Sequence, residues 1–431
     1  MLSQKEKETI VTSPQQNEMR ILKPVRTPAA RLALAIVFGL IVVATLTAQG
    51  QTFNVIFDFT GGSDGGTPLA ALVLDKSGHL YGTANHGGVN GYGTIFRMKP
   101  AGSGWTFTPL YGFKGGNDGG DPVDAVRVGA DGSLYGPSPT PTGGYYGIVF
   151  NLKPAPTPSP SIFGGWTQNV LYTFTGLPAN GANPLGAIVF DQAGNVYGTT
   201  GSDGTCGHGT VYELTPSGSS WTLNLLYTFC APGDGQLPES GVIFDNQGNL
   251  YGTTYGGGQD GMGTVFQLVQ SGTGWTENML YSFPGGKDGG VPSGGLVFDP
   301  SGNLYGTTSQ GGKHKGGTVF MLAPSHGSWT LTTLYSFTAA NLDGRSGNLV
   351  LDSAGNLYGT RKYEGMYGAG AAFELAHSSG GWTYTSLHDF TGGTDGGNPV
   401  DGLIFDTSGN LFGTASKGGT NAYGDVYKIT P

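Results

Sequence analysis

A pair of short apolar stretches joined by an Asp-x-x-Gly-Asn turn recurs seven times along this chain. Its clearest copy reads Gly295-Leu296-Val297-Phe298-Asp299-Pro300-Ser301-Gly302-Asn303-Leu304-Tyr305-Gly306-Thr307-Thr308. Leu296, Val297 and Phe298 are strand formers, and so are Leu304 and Tyr305. Asp299 can bond its own backbone two residues on, and Gly302 supplies a positive φ without steric cost, so the stretch reads as a β-hairpin. The turn returns around Asp75, Asp191, Asp245, Asp352 and Asp406, and in a shifted form at Asp131. No second carboxylate sits beside these residues at a calcium-loop spacing, so they read as turn caps.

The Tyr-Gly or Phe-Gly pair of the second strand sets the phase. It falls at Tyr81, Tyr135, Tyr197, Tyr251, Tyr305, Tyr358 and Phe412, in steps of 54, 62, 54, 54, 53 and 54 residues. The long step holds a proline-rich insertion at Pro154–Pro160. After each hairpin come a Gly-rich loop, a third strand such as Gly263–Leu268, and a fourth strand opening in Trp-Thr. All six tryptophans (Trp105, Trp166, Trp221, Trp275, Trp329 and Trp382) hold that one position, which makes them packing residues between units. In one unit the four strands are expected at Gly295–Asp299, Asn303–Thr308, Thr318–Leu322 and Trp329–Phe337.

Four strands per unit and seven units predict an all-β chain, a seven-bladed β-propeller of four-stranded blades. Gln51–Phe59 reads as a fourth strand with no first three before it. Val400–Ile429 reads as three strands with no fourth after them. The N-terminal strand therefore completes the last blade and closes the ring, which leaves no exposed sheet edge. A β-helix is the alternative, but its rungs are shorter. The first strands begin on small residues (Ala70-Ala71, Gly186-Ala187, Gly294-Gly295, Gly347-Asn348), as a crowded axis requires.

Residues 1–50 carry six basic residues, then an apolar run from Leu32 to Ala48 and a small-residue site at Ala48-Gln49-Gly50. That order reads as a signal peptide, with an uncleaved membrane anchor as the rival, and places residues 51–431 outside the inner membrane. Removing residues 1–50 leaves 14 Lys and Arg against 26 Asp and Glu, a formal charge of −12. An acidic surface without a basic patch argues against nucleic acid.

The combination Gly-Asn-Leu-Tyr-Gly-Thr-Thr, Gly-Thr-Val-Phe and Leu-Tyr-Ser-Phe followed by Gly-Gly-x-Asp-Gly-Gly resembles the GloVer tandem repeat, a Gloeobacter/Verrucomicrobia-type family of exported bacterial proteins with varied surface anchors. Asn303–Thr308 repeats Asn249–Thr254 residue for residue, and the resemblance covers residues 51–431. It implies export and surface attachment, and no activity. Many members carry a C-terminal sorting segment. Here the sequence stops at Pro431, directly after its last strand, so an anchor is expected in the N-terminal segment.

Function is sought where the copies differ. In a propeller the loops between second and third strands share a face with the loops leading from one blade to the next. The inter-blade loops carry Asp64, Asp118, Asp234, Asp288, Asp343 and Asp395, with Asn180 in the third blade. They read as turn geometry, with cation collection at one mouth as the rival. The second-to-third loops supply the ligand-binding candidates Tyr92, Tyr145, Tyr146, Tyr255, Arg361, Lys362, Tyr363, Glu364 and Tyr423, tyrosines with scattered polar groups suited to sugar or peptide. Asp124, Glu239 and Asp401 break the small-residue rule at the axis and are expected at the channel mouth. Cys206 and Cys230 are expected to form a disulfide. His86, His208 and His314 occupy equivalent loops of blades that are not neighbours, so no metal site is assigned. No hydrolase elbow, zinc-protease motif, phosphate loop or dinucleotide fingerprint is present, and no cofactor is expected. The expected protein is an exported, non-catalytic, monomeric propeller that binds a glycan or protein partner. The alternatives are a carbohydrate lyase or hydrolase working at the channel mouth, and a purely structural surface protein.

Overall fold

The recurring hairpin forms because one carboxylate satisfies its whole turn. In the computed structural model Asp299 Oδ1 accepts the backbone N–H groups of Ser301 (2.8 Å) and Asn303 (2.9 Å), and Oδ2 accepts Asn303 Nδ2 (2.7 Å) and the Tyr305 hydroxyl (3.1 Å). Gly302 closes the turn at φ +84°. The same four contacts recur at Asp245 and, with Tyr358, at Asp352. Burial pushes these carboxyls up, but the hydrogen bonds outweigh it and hold Asp245, Asp299 and Asp352 below the ordinary aspartate value. The shifted copy, Asp131, bonds Ser133 at its N–H (3.0 Å) and hydroxyl (2.8 Å).

The structure describes residues 51–139, 146–154, 165–176, 180–272, 274–338 and 347–430. Residues 1–50 and the expectation of a signal or anchor there lie outside them. Seven antiparallel sheets follow one another around an axis as the blades of a β-propeller. In the fifth blade Val297–Phe298 pairs with Leu304–Gln310, then Thr318–Ser325, then Ser328–Ser336. The first strand is shorter than the sequence suggested because its leading residues bond other blades. The Gly295 N–H, for example, goes to Asn348 Oδ1 of the sixth blade (2.5 Å).

The N-terminal strand, Thr52–Asp58, pairs antiparallel with Asp425–Thr430, whose sheet continues to Leu411–Ala415 and Ile404–Phe405. It completes the seventh blade and closes the ring. Apolar clusters fill each seam. Phe59, Phe96 and Phe412 come together where the seventh blade meets the first. Each tryptophan packs on the second-strand aromatic of the preceding blade: Trp105 on Phe412, Trp329 on Tyr251, Trp382 on Tyr305.

The repeated Tyr-Gly-Thr also has a physical cause. A Cβ at Gly306 would stand 2.6 Å from the Phe320 ring, so only glycine leaves room for that core aromatic. The following threonine ties neighbouring blades. Thr199 donates to Ser240 O (3.0 Å), Thr360 to Asp401 O (2.8 Å) and Thr414 to Ala70 O (3.0 Å), each the next blade around the axis.

Candidate functional site

One face is built from the second-to-third loops laid against the inter-blade turns. Gly66 and His86 exchange backbone hydrogen bonds there (2.8 and 3.0 Å), and the Gly88 N–H reaches Gly62 O (2.8 Å). The inter-blade aspartates are held by this scaffold. Asp118 takes the Lys114 N–H (2.7 Å) and the Tyr111 hydroxyl (2.5 Å), and Asp234 takes the Cys230 N–H (3.0 Å) and the Tyr227 hydroxyl (2.9 Å). Asp288 takes the Tyr281 hydroxyl (2.8 Å) and Asp395 the His388 ring (3.0 Å). Asp343 lies outside the described residues. Among the described residues no three His, Cys, Asp or Glu side chains gather to hold a metal.

Three of the tyrosine candidates share a structural position. The Tyr423 ring packs on Gly61 and Gly66, the Tyr92 ring on Gly115 and Gly120, and the Tyr146 ring on Gly176. The backbone carbonyl of each accepts an N–H from the next blade: Thr67 (2.7 Å), Asp121 (2.8 Å) and Asn183 (2.8 Å). These residues belong to the seventh, first and second blades, which are consecutive around the closed ring. Tyr423 and Tyr146 remain 47% and 40% exposed, and Tyr92 is half-buried. In the fourth blade Met262 takes this place against Gly285. Tyr145 lies outside the described residues, and Tyr255 is half-buried in the fourth blade's loop.

Arg361 does not belong to the exposed face. It ends the second strand of the sixth blade at 1% exposure, donates from Nη2 to Gly316 O (2.5 Å) and lies 4.1 Å from the Phe337 ring centre. Its Nε pairs with Glu364 Oε2 at 3.3 Å, so Glu364 neutralises a buried charge. Lys362 and Tyr363 stay half-buried beside them, the Lys362 ammonium 4.8 Å from the Tyr363 ring centre. The exposed tip of this loop is Met366 and Tyr367, 79% and 60% exposed. Their signal in the sequence was an apolar pair inside a polar loop.

Asp124, Glu239 and Asp401 all line an axial cavity of about 280 Å³. Asp401 is largely consumed by the ring: Oδ2 accepts the Ala71 N–H (2.8 Å), and Oδ1 accepts the Gly402 N–H (2.7 Å) and Asn348 Nδ2 (3.0 Å). Arg127 lines the same cavity and was not among the sequence candidates. Cys206 and Cys230 are joined in a disulfide with Cα atoms 5.4 Å apart, tying the third blade's variable loop to the end of its fourth strand. At the outer seam between the third and fourth blades, burial and then the Asp234 charge push the Glu277 carboxyl up to about 7.

Seven blades around a lined channel, with one hydrogen-bonded loop face, define a β-propeller repeat protein. The chain belongs to the Gloeobacter/Verrucomicrobia repeat family, whose repeat matches residues 39–243, 161–346 and 274–431. Among curated proteins, none matches the sequence. Among solved structures, the chain is similar to the extracellular domain of a protein described as a one-component system from B. thetaiotaomicron. The identity is 12% and the TM-score 0.52, over 87% of this chain and 39% of that one. It is also similar to PorZ, a surface component of the type-IX secretion system of Porphyromonas gingivalis (15%, TM-score 0.49, 87% of this chain and 48% of that one). A gluconolactonase of Xanthomonas campestris is a third (15%, TM-score 0.42, 70% and 82%). At these identities the likeness is one of fold. Among the described residues no helix is long and apolar enough to cross a membrane.

Proposed function

We propose that this chain is an exported, non-catalytic binding propeller whose variable-loop face takes a carbohydrate chain. The observation that carries the reading is the row of Tyr423, Tyr92 and Tyr146 on consecutive blades, each ring fixed against a glycine turn. Rings held in this way bind with little loss of side-chain freedom, and flat aromatic surfaces suit the apolar faces of sugar rings. Hydroxyl and backbone groups of the surrounding turns supply polar contacts. The basic and apolar order of residues 1–50 supports export.

The channel supports the enzyme alternative less well, because Asp401 gives both its oxygens to hydrogen bonds that join blades. A glycan array probed with the purified protein and with Tyr92→Ala and Tyr423→Ala variants tests the proposal. The expected result is binding to a restricted glycan set, weakened by each variant. Binding that is unchanged in both variants, or absent from every glycan, overturns it; capture of a protein ligand through the same tyrosines would move the reading to a protein partner.

A further inference from the structure

The variable loops end in a common turn, and the residues it carries differ from blade to blade. In six blades the tip is a four-residue turn closed by a backbone hydrogen bond, such as Lys315 N–H to Gly312 O in the fifth (3.2 Å) and Gly368 N–H to Gly365 O in the sixth (3.2 Å). Two exposed residues ride on each turn: Gln259-Asp260 in the fourth blade, Lys313-His314 in the fifth, Met366-Tyr367 in the sixth. Of these six tips, only that of the fifth blade carries lysine. Its closing residue is a lysine as well, held at φ +64° where Gly261 and Gly368 stand at +73° and +70°. A side chain is strained at such a φ and glycine is not, so Lys315 is a poor choice for the turn itself.

The turn leading into the fifth blade brings a third lysine from elsewhere in the chain. Gly312 donates its N–H to Gly286 O (2.8 Å), which sets Lys287 beside Lys313. Lys287, Lys313, His314 and Lys315 are all exposed, and the three lysines form no ion pair among the described residues. Two carboxylates of the adjoining loops are already committed. Asp288 accepts the Tyr281 hydroxyl (2.8 Å), and Glu364 pairs with Arg361 (3.3 Å). Asp260, on the fourth-blade tip, marks the border on that side. In a chain whose residues 51–431 carry a formal charge of −12, this is a local positive field with no counter-charge of its own.

The lysines continue the aromatic row. The sixth-blade tip exposes Tyr367 (60%), and Tyr423, Tyr92 and Tyr146 follow on the seventh, first and second blades. From the fifth blade to the second, around the closed ring, the loop face thus offers lysines and then one tyrosine per blade. Tyrosine rings suit the faces of sugars, and ammonium groups on flexible stems suit the scattered anions of a polymer. Nucleic acid would meet the same lysines, but its denser charge is repelled by the acidic remainder of the surface.

We propose that the carbohydrate taken by this face is an acidic polysaccharide, its carboxylate or sulfate groups drawn to Lys287, Lys313 and Lys315 and its sugar rings lying along the tyrosines. The proposal rests on the tyrosine-row reading and names the class of chain that the row accepts. Lys315 then has a use at its strained position that glycine lacks.

An array carrying oligogalacturonate, oligoalginate and chondroitin sulfate, probed with the full-length protein, tests this. Methyl-esterified oligogalacturonate and cello-oligosaccharide are its neutral members, and a DNA duplex is the polyanion control. At least one acidic glycan is expected to bind at least about fivefold more tightly than the neutral ones, the weight of two surface ion pairs. Preference for the uronates or for the sulfated chain identifies the anion. Lys313→Gln combined with Lys315→Gly, which restores the glycine of the other blades, is expected to keep or raise the melting temperature and to weaken that binding by about the same factor. Equal binding of acidic and neutral glycans, no binding of any acidic glycan, undiminished binding in the lysine variant, or DNA bound as tightly as the best acidic glycan overturns the proposal. Acidic binding lost in the lysine variant but unchanged in Tyr423→Ala would overturn the tyrosine row instead.

Discussion

Asp425 and Asp58 are partners across the strand pair that closes the ring, and neither carboxylate oxygen of Asp425 has a hydrogen-bond partner among the described residues. Asp425 is fully buried, opposite Ala415, where the third, fourth and fifth blades place threonine pairs such as Thr254 and Thr264 (2.9 Å). Burial, then the charges of Asp58 and Asp395, push its carboxyl up to about 8. The folded chain therefore keeps a proton that the unfolded chain releases near 3.8. Stability from this group is complete below about 4, falls as the pH rises to about 8, and is level above, with a slope of at most about 1.4 kcal/mol per pH unit. Asp245, Asp299 and Asp352, held low by their turns, act in the opposite sense and only in more acidic solution. Melting temperatures from pH 5 to 8 should decline for the natural protein and stay nearly flat for Asp425→Thr. An equal decline in both would show that Asp425 does not carry the dependence.

Closure by the N-terminal strand should be visible in the stability of the whole ring. Phe59 follows that strand directly, is fully buried, and meets Phe96 of the first blade edge-on with ring centres 5.3 Å apart. Its truncation leaves a cavity at the closing seam, so Phe59→Ala is expected to cost about 3–5 kcal/mol. Urea unfolding followed by tryptophan fluorescence measures it. A loss below about 1 kcal/mol would mean that the N-terminal strand contributes little to the fold.

The blades were legible because the same residues recur for the same local reasons. Asp299 caps a turn, Gly306 makes room for Phe320, and Trp329 reaches Tyr251 of the preceding blade. The candidate sites were less legible because a charged residue in a loop looks solvated until the copies are superposed. Arg361 occupies the column that holds Thr254 and Thr308 in other blades, Asp425 that of Thr264 and Thr318, and Arg127 that of Val73 and Val297. A charge in a buried column must be paired or protonated, and Arg361 and Asp425 illustrate those outcomes in turn, whereas Arg127 stands exposed along the channel. Reading the columns rather than the loops would have found all three.

The pairing of Arg361 with Glu364 separates stability from binding. Removing the arginine leaves Glu364, itself largely buried, without its counter-charge and opens space over Phe337. Arg361→Ala is expected to lower stability by about 3 kcal/mol. Glycan binding by the refolded variant should be unchanged below its melting temperature, whereas Tyr423→Ala should weaken binding with a stability change within about 1 kcal/mol. Circular dichroism melts beside binding isotherms read both effects. Loss of binding in Arg361→Ala well below its melting temperature would return this residue to the ligand face.

The disulfide should matter globally for stability and locally for order. Cys206 and Cys230 are 24 residues apart, and closing a loop of that size stabilises by about 3 kcal/mol in the chain-entropy picture. The turn after Cys230 has its own fastening, because Asp234 Oδ2 accepts the N–H groups of Cys230 (3.0 Å) and Ala231 (3.2 Å). The variable loop on the other side of the bond is held chiefly by backbone contacts such as Gly209 N–H to Asp203 O (3.0 Å). Reduction, or the pair Cys206→Ser with Cys230→Ser, should therefore lower the unfolding free energy by about that amount. Faster amide exchange should be confined to residues 203–209, while the third strand, Thr210–Ser217, stays protected. Exchange that spreads through all four strands of the third blade would show instead that the bond holds the blade together.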